Sequence, residues 1–207
     1  MKIISPSFEF ESFDSQEILQ NLEKAGRTCY KSEEKITDTS CIPFIKNVIT
    51  RGHESVLEHE KLTCRVVCDR GISHECVRHR IASYSQESSR YVNYSNFDEI
   101  SFIDIRKAFN YNDDSPQFNL WRVAMINAEY SYLEMIKAGC SPQEARSVLP
   151  NSVKTEIVIT MNLRAWRHFF RLRALGTAGK PHPQMLELTI PMLEYCKQNL
   201  PVIFADL

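Results

Sequence analysis

Arg78-His79-Arg80-Ile81-Ala82-Ser83-Tyr84-Ser85-Gln86-Glu87-Ser88-Ser89-Arg90-Tyr91 stands apart from the rest of the chain by its chemistry. Three cationic or titratable side chains come in a row, and behind them crowd hydroxyls, an amide, a carboxylate and a further arginine. Ile72 to Arg80 reads as a helix with Ile72, Cys76 and His79 near one face, which puts the triplet on its last turn. Two readings are open. Cations at a helix C-terminus are favoured by about 0.3–1 kcal/mol, and that alone accounts for the triplet. Alternatively, Arg78, His79 and Arg80, the hydroxyls of Ser83, Ser85, Ser88 and Ser89, and the fork of Arg90 build a pocket for phosphate and the polar edges of a heterocycle.

The strands that flank this stretch set the fold class. Leu62, Cys64, Val66 and Cys68 alternate with Lys61, Thr63, Arg65 and Val67, and Val153, Ile157, Ile159 and Met161 alternate with Lys154, Glu156, Val158 and Thr160. Period-two patterns of this kind mark one-sided strands, and their pairing predicts an antiparallel sheet with helices on its buried face. Residues 2–11 alternate loosely as a first strand, and Ile100 to Ile103 is a short one. Asp14 or Ser15 offers an N-cap for a helix carrying Ile18, Leu19, Leu22 and Ala25. Thr39 or Ser40 offers one for a helix with Ile42, Ile45, Val48 and Ile49, closed by Gly52. Phe118 to Ile136 is the longest helical pattern. Ser141-Pro142-Gln143-Glu144 is a capping-box start for a short helix before Pro150. Met185 to Lys197 makes the last helix, with Pro191 as a source of a kink. The expectation is a helix-rich α+β fold, a single domain over residues 1–207.

Composition limits the function classes. The 207 residues are 43% hydrophobic and 25% charged, ordinary values for a globular chain. A formal net charge of −1 supplies no global field for a nucleic-acid backbone, so nucleic acid is not an expected partner. No apolar run approaches the roughly 18–20 residues that span a bilayer, and the N-terminus lacks a signal-peptide stretch, so membrane is excluded and a cytoplasmic location expected. The seven cysteines are scattered, without C-x-x-C pairs, and read as reduced small hydrophobes, with no metal site. His53 and His59 are too far apart for a zinc-protease helix, because position 57 is Leu. There is no glycine-rich phosphate loop, so a nucleotide cofactor needs another device.

Leu163 to Arg173 carries a second basic group. At about 100° per residue, Arg164, Arg167, His168 and Arg171 fall on one side, and Leu163, Trp166, Phe169 and Phe170 on the other. Arg173 projects toward the apolar sector, where a guanidinium needs a carboxylate or a bound ligand, or room to snorkel.

Arg78-His79-Arg80, seven residues, then Ser88 resembles the signature of flavin-dependent thymidylate synthases. Gly52-His53-Glu54-Ser55-Val56-Leu57-Glu58-His59, Ala145-Arg146-Ser147-Val148-Leu149-Pro150 and Asn162-Leu163-Arg164 running to Arg173 resemble further segments of that family, in the same order. The resemblance implies that dUMP is bound by Glu75, Arg78, Gln86, Glu87, Ser88, Ser89, Arg90, Arg146 and Arg173. It implies FAD contacts from His53, Ser55, Arg78, His79, Arg80, Gln86, Asn162, Arg164 and His168. Arg173 takes the catalytic role, polarising the uracil ring so that carbon 6 accepts hydride without an enzyme nucleophile. Methylenetetrahydrofolate donates the carbon, NADPH recharges FAD, and the assembly is a homotetramer with sites shared between chains. Ser85, Gln86 and His168 depart from the family's Asn, Glu and Asn, and the loop from Ala174 to Pro183 is longer than the family's, so His182 receives no role. Ser88 lacks an adjacent base and is read as a binding group. The rival readings are a non-catalytic nucleotide- or RNA-binding oligomer, and a structural helical oligomer whose arginines only pair across interfaces.

Overall fold

The two alternating segments form long strands, Lys61–Asp69 and Lys154–Asn162. Leu62, Cys64, Val66 and Cys68 are buried on the first, and Thr155, Ile157, Ile159 and Met161 on the second. The computed structural model describes residues 1–207. In chain order the elements are β1 (Lys2–Ile4), β2 (Ser7–Phe10), α1 (Ser15–Thr28), α2 (Cys41–Thr50), β3 (Lys61–Asp69), α3 (Arg70–Cys76), β4 (Ser83–Gln86), β5 (Ser101–Ile103), α4 (Arg106–Phe109), α5 (Pro116–Lys137), α6 (Pro142–Ala145), β6 (Lys154–Asn162), α7 (Leu163–Arg173), α8 (Pro183–Asn199) and α9 (Pro201–Phe204). A 3-10 turn spans Glu54–His59. The main sheet has the order β2-β3-β6-β4. Its central pair is antiparallel, since partners fall on β6 as numbers rise on β3. Leu163 N–H donates to the Glu60 carbonyl, Thr63 meets Thr160, Arg65 meets Glu156, and Arg70 N–H reaches the Asn151 carbonyl. The helix-rich α+β class with an antiparallel sheet is therefore the one that the patterning predicts.

Four local expectations are corrected. The first strand is split at Ser5-Pro6, because Pro6 has no N–H for a ladder. Its first half, β1, pairs in parallel with β5, Ile3 opposite Phe102, the long connection that parallel pairing requires being available between them. The helix before the Arg-His-Arg triplet ends at Cys76, with the Tyr84 hydroxyl donating to the Cys76 carbonyl at 2.8 Å. His79 and Arg80 therefore lie beyond the last turn, and Ser83–Gln86 is not loop but strand β4. On α2 the buried face is Cys41, Ile45 and Val48, with Ile42 38% exposed, and Ser40 donates to Glu23 instead of capping.

The chain's contacts fall into two compact units, neither a contiguous stretch. Met1–Phe8, Arg65–Arg78 and Tyr84–Val158 form the first. Its core is Tyr94, Ile100, Phe102, Met125, Tyr132, Ala145 and Val153, and the Tyr132 hydroxyl accepts from Tyr94 N–H. The predicted stripe on α5 buries Phe118, Met125 and Tyr132, while Leu120, Val123, Ile126 and Tyr130 on the same helix stay exposed. The predicted capping box at Ser141 is formed, with Glu144 accepting from Ser141 N–H at 2.8 Å.

The second unit is Glu9–Cys64, His79–Ser83 and Ile159–Leu207. Asp14 caps α1, accepting from Gln16 and Glu17 N–H. Asn162 caps α7, whose Trp166, Phe169 and Phe170 are fully buried against Phe10 and Phe204, and Trp166 Nε1 donates to the Leu62 carbonyl at 3.0 Å. Burial of each such ring contributes about 2–3 kcal/mol. Pro191 sits inside the continuous helix α8. No helix is long and apolar enough to cross a membrane.

Arg167 overturns the wheel's assignment to a polar face, since its side chain is 0% exposed. It donates to both Asp206 oxygens at 2.6 Å, to the Ile203 carbonyl and, through Nε, to Glu54 at 3.2 Å. Arg171 donates to the same Glu54 at 3.0 Å. Burial raises the Glu54 carboxyl's pKa, but the hydrogen bond from Arg171 and the charges of Arg167 and Arg171 outweigh it and hold it low; the hydrogen bond from Arg167 lowers Asp206 likewise. Removing one member of a buried ion-pair network costs about 3–5 kcal/mol, because its partners, here Glu54 and Asp206, are left uncompensated. Arg167→Ala is expected to lower unfolding free energy by about that amount, and Asp206→Asn by about 1–2 kcal/mol because the Asp206 carboxylate is 49% exposed, read as urea midpoints. Both carboxyls are depressed from their ordinary 4.5 and 3.8, so their contribution is full at neutral pH and lost as pH falls below those values.

Candidate functional site

His79, His168 and Arg173 come together within the second unit. The end of α3 releases the chain at the triplet, and α7 presents the other two. The His79 ring lies edge-on to Phe169 at 4.9 Å and to His168 at 5.9 Å between centroids. Arg173 Nε donates to His79 Nε2 at 3.2 Å. The arginine that the wheel directs toward apolar surroundings thus has an imidazole to bond. An imidazole nitrogen accepts only where it carries a lone pair, so this contact requires neutral His79 protonated on Nδ1. Burial, then the charges of Arg173 and His168, hold its pKa down at about 4, in agreement with that geometry.

The other residues assigned to the flavin spread along α7 and the segment before β3. Asn162 spends its Oδ1 on the Ala165 N–H at 2.8 Å, which leaves its amide NH2 for a ligand. It lines a cleft of about 530 Å³ with Glu58, His59, Lys61, Ile81, Ser83 and Thr160. Arg164 pairs with Glu58 at 2.5 Å in an exposed ion pair. His53 meets the Tyr30 hydroxyl at 3.3 Å, and Ser55 and Arg80 are exposed. Asn162 and Arg173 bracket a helix of 11 residues, about 16 Å along its axis. The structure therefore gathers His79, His168 and Arg173, and sets Asn162 at the far end of the same helix.

Residues assigned to dUMP concentrate in the first unit. Ser89, 4% exposed, accepts from Arg146 Nη1 at 3.3 Å, and both line a cleft of about 420 Å³ with Arg70, Gln143, Ser147 and Asn151. Ser88 caps the turn that follows, its carbonyl accepting from Tyr91 and Val92 N–H. Arg90 is exposed and stacks over Tyr91 at 5.3 Å. Gln86 donates its amide to Ser73 at 2.9 Å and Thr155 at 3.1 Å, so its nitrogen braces β4 rather than facing a ligand. Glu75 is half-buried on α3, and its carbonyl accepts from Arg78 N–H. Glu87 turns to a separate cleft of about 590 Å³, where it accepts from Lys154 at 2.6 Å and Tyr94 at 2.8 Å. Burial, and then the Glu87 hydrogen bond and charge, push the Tyr94 phenol's pKa up.

Sequence reasoning passed over Arg70, Glu54, Tyr94, Lys154 and Asp206. Glu54 lies inside the His53–Ser55 motif and was legible as a carboxylate beside it. Asp206 and Lys154 act across the fold, and local spacing carries no signal for them.

Residues 14–202 match the profile of the family described as thymidylate synthase complementing protein. A flavin-dependent thymidylate synthase of Pyrococcus abyssi is 39% identical over 148 residues, covering 69% of this chain and 58% of its own length. One from Geobacter sulfurreducens is 34% identical over 191 residues, covering 88% of this chain and 78% of its own. The matched stretch thus spans less than two thirds of the Pyrococcus relative. The crystal structure of a UMP/dUMP methylase, PolB of Streptomyces cacaoi, bound with 5-Br dUMP, has the same fold with a TM-score of 0.81 at 22% identity, over 99% of this chain and 96% of that one. With the profile extending over all but the chain's ends and a relative 34% identical over 88% of this chain, this chain belongs to the flavin-dependent thymidylate synthase family, the thymidylate synthase complementing proteins.

Proposed function

We propose that the chain is an FAD-dependent thymidylate synthase that methylates dUMP to dTMP, with methylenetetrahydrofolate as carbon donor and NADPH as reductant. The observation that carries this reading is the gathering of His79, His168 and Arg173 in a chain of this family. The donor set fits FAD: the Asn162 amide, the Arg164 guanidinium and the His168 ring are distributed along α7, a helix long enough for an elongated anionic dinucleotide, and the segment after α3 adds His79 and Arg80. FAD, when bound, supplies the hydride chemistry.

The chain's own residues bind, orient and polarise. Arg173, anchored through Nε by neutral His79, places a fixed cation where negative charge develops on the pyrimidine, which stabilises the transition state more than the ground state. Ser89 and Arg146 hold the nucleotide's anionic end. Ser88 has no activating base among its hydrogen-bond partners and contributes binding. The exposed Leu120, Val123, Ile126 and Tyr130 on α5 support assembly into a homotetramer with sites shared between chains. We place the protein in the cytosol, in keeping with its scattered, unpaired cysteines.

The test is an absorbance spectrum after incubation with FAD and removal of excess, followed by dUMP-dependent NADPH oxidation and dTMP formation. Retained flavin and dTMP are the expected result. A folded protein that retains no flavin and binds polyanions in a salt-sensitive way transfers the reading to the nucleic-acid-binding rival. Arg173→Ala is expected to lower kcat by about 10²–10³ while flavin retention persists, checked by single-turnover kinetics.

His79 supplies a pH signature. The unfolded chain takes up a proton at His79 near the ordinary value of 6.5, whereas the folded protein resists until about 4. Its stabilising contribution is therefore full above the first value and lost as pH falls toward the second. Urea midpoints measured across that window should fall for the wild type and flatten for His79→Asn, and the His79 ring resonances should titrate near 4.

A further inference from the structure

Arg70 lines the same cleft as Ser89 and Arg146, at the junction where β3 turns into α3. Its backbone is fixed, with its N–H on the Asn151 carbonyl at 2.9 Å and the preceding Asp69 accepting from Ile72 N–H at 2.7 Å. Its side chain is not satisfied: Nη1 is buried and has no hydrogen-bond partner. Buried guanidinium N–H groups are ordinarily paired, because leaving one unmet forfeits its hydration without return. The lining of the cleft contains two guanidiniums, two serine hydroxyls and two side-chain amides, and no carboxylate.

We propose that Arg70 is a further substrate-binding residue, which closes with Arg146 on the phosphate of the nucleoside monophosphate and makes the site selective for the phosphorylated nucleotide. The inference rests on the dUMP reading above. A phosphate dianion presents three acceptor oxygens, enough to take Arg70 Nη1, the Arg146 fork and a serine hydroxyl together. A carboxylate, such as the glutamyl tail of a folate, has two oxygens and a single charge and satisfies this set less well. The cleft's volume of about 420 Å³ suits the phosphate and sugar end of one nucleotide.

The experiment is calorimetric titration of the FAD-loaded wild type, Arg70→Met and Arg70→Lys with dUMP, deoxyuridine and inorganic phosphate. Arg70→Met is expected to weaken dUMP by about 10–100-fold and to leave deoxyuridine unchanged. Arg70→Lys, which keeps the charge and loses the fork, should fall between, and it carries the test where the methionine variant does not fold. Circular dichroism, flavin retention and assembly mass should match the wild type. Unchanged dUMP binding overturns the proposal, as does equal loss of dUMP and deoxyuridine or a raised KM for methylenetetrahydrofolate alone. A wild type that binds inorganic phosphate through Arg70 but no dUMP keeps the anion site and removes the dUMP reading; one that binds neither removes both.

Discussion

The buried guanidinium of Arg167 constrains the second unit more than any other single group. Burying an unpaired arginine costs several kcal/mol, so helix α7 is stable only in the rotation that brings Arg167 to Asp206, the Ile203 carbonyl and Glu54. Trp166, Phe169 and Phe170 fix the same rotation from the apolar side. With both of these faces committed, Arg164 and His168 are the residues left to face outward, and Arg173 at the helix end is left to meet His79. The candidate flavin face is what remains of α7 once packing and ion pairing have taken their share.

His79 converts that packing into electrostatics. Its partial burial, and then the neighbouring Arg173 and His168, disfavour the imidazolium, and a neutral ring has a lone pair to offer. Arg173 uses that lone pair as an anchor, which orients the guanidinium without neutralising it through this contact. A carboxylate in the position of His79 would cancel the charge that the proposed chemistry needs. The departure from helix after Cys76 serves the same end, since a continued α3 would carry His79 on a helical turn instead of releasing it toward α7.

Strands β3 and β6 and the bounds of α7 were legible because their determinants are local: period-two burial, an Asn162 cap and an apolar stripe. The end of α3 was not, because Val77, Arg78 and His79 carry no breaker, and the groups that end the helix are the Tyr84 hydroxyl and the pairing of Ser83–Gln86 into the sheet. Arg167 was misread for a related reason. A helical wheel gives the direction of a side chain but not what covers it, and the covering acids are Asp206 and Glu54, far away in sequence. The site's composition was legible through the motif; its division among clefts, with Glu87 on Lys154 and Ser89 on Arg146, was not.

A net charge of −1 conceals how differently the arginines are used. Arg27, Arg65, Arg106 and Arg167 each meet a carboxylate, so their charge is compensated by the fold itself. Arg146 reaches a serine hydroxyl, and Arg70 Nη1 is buried with no partner, in a cleft whose lining holds no acid. Pairing, not count, separates structural cations from ligand-seeking ones.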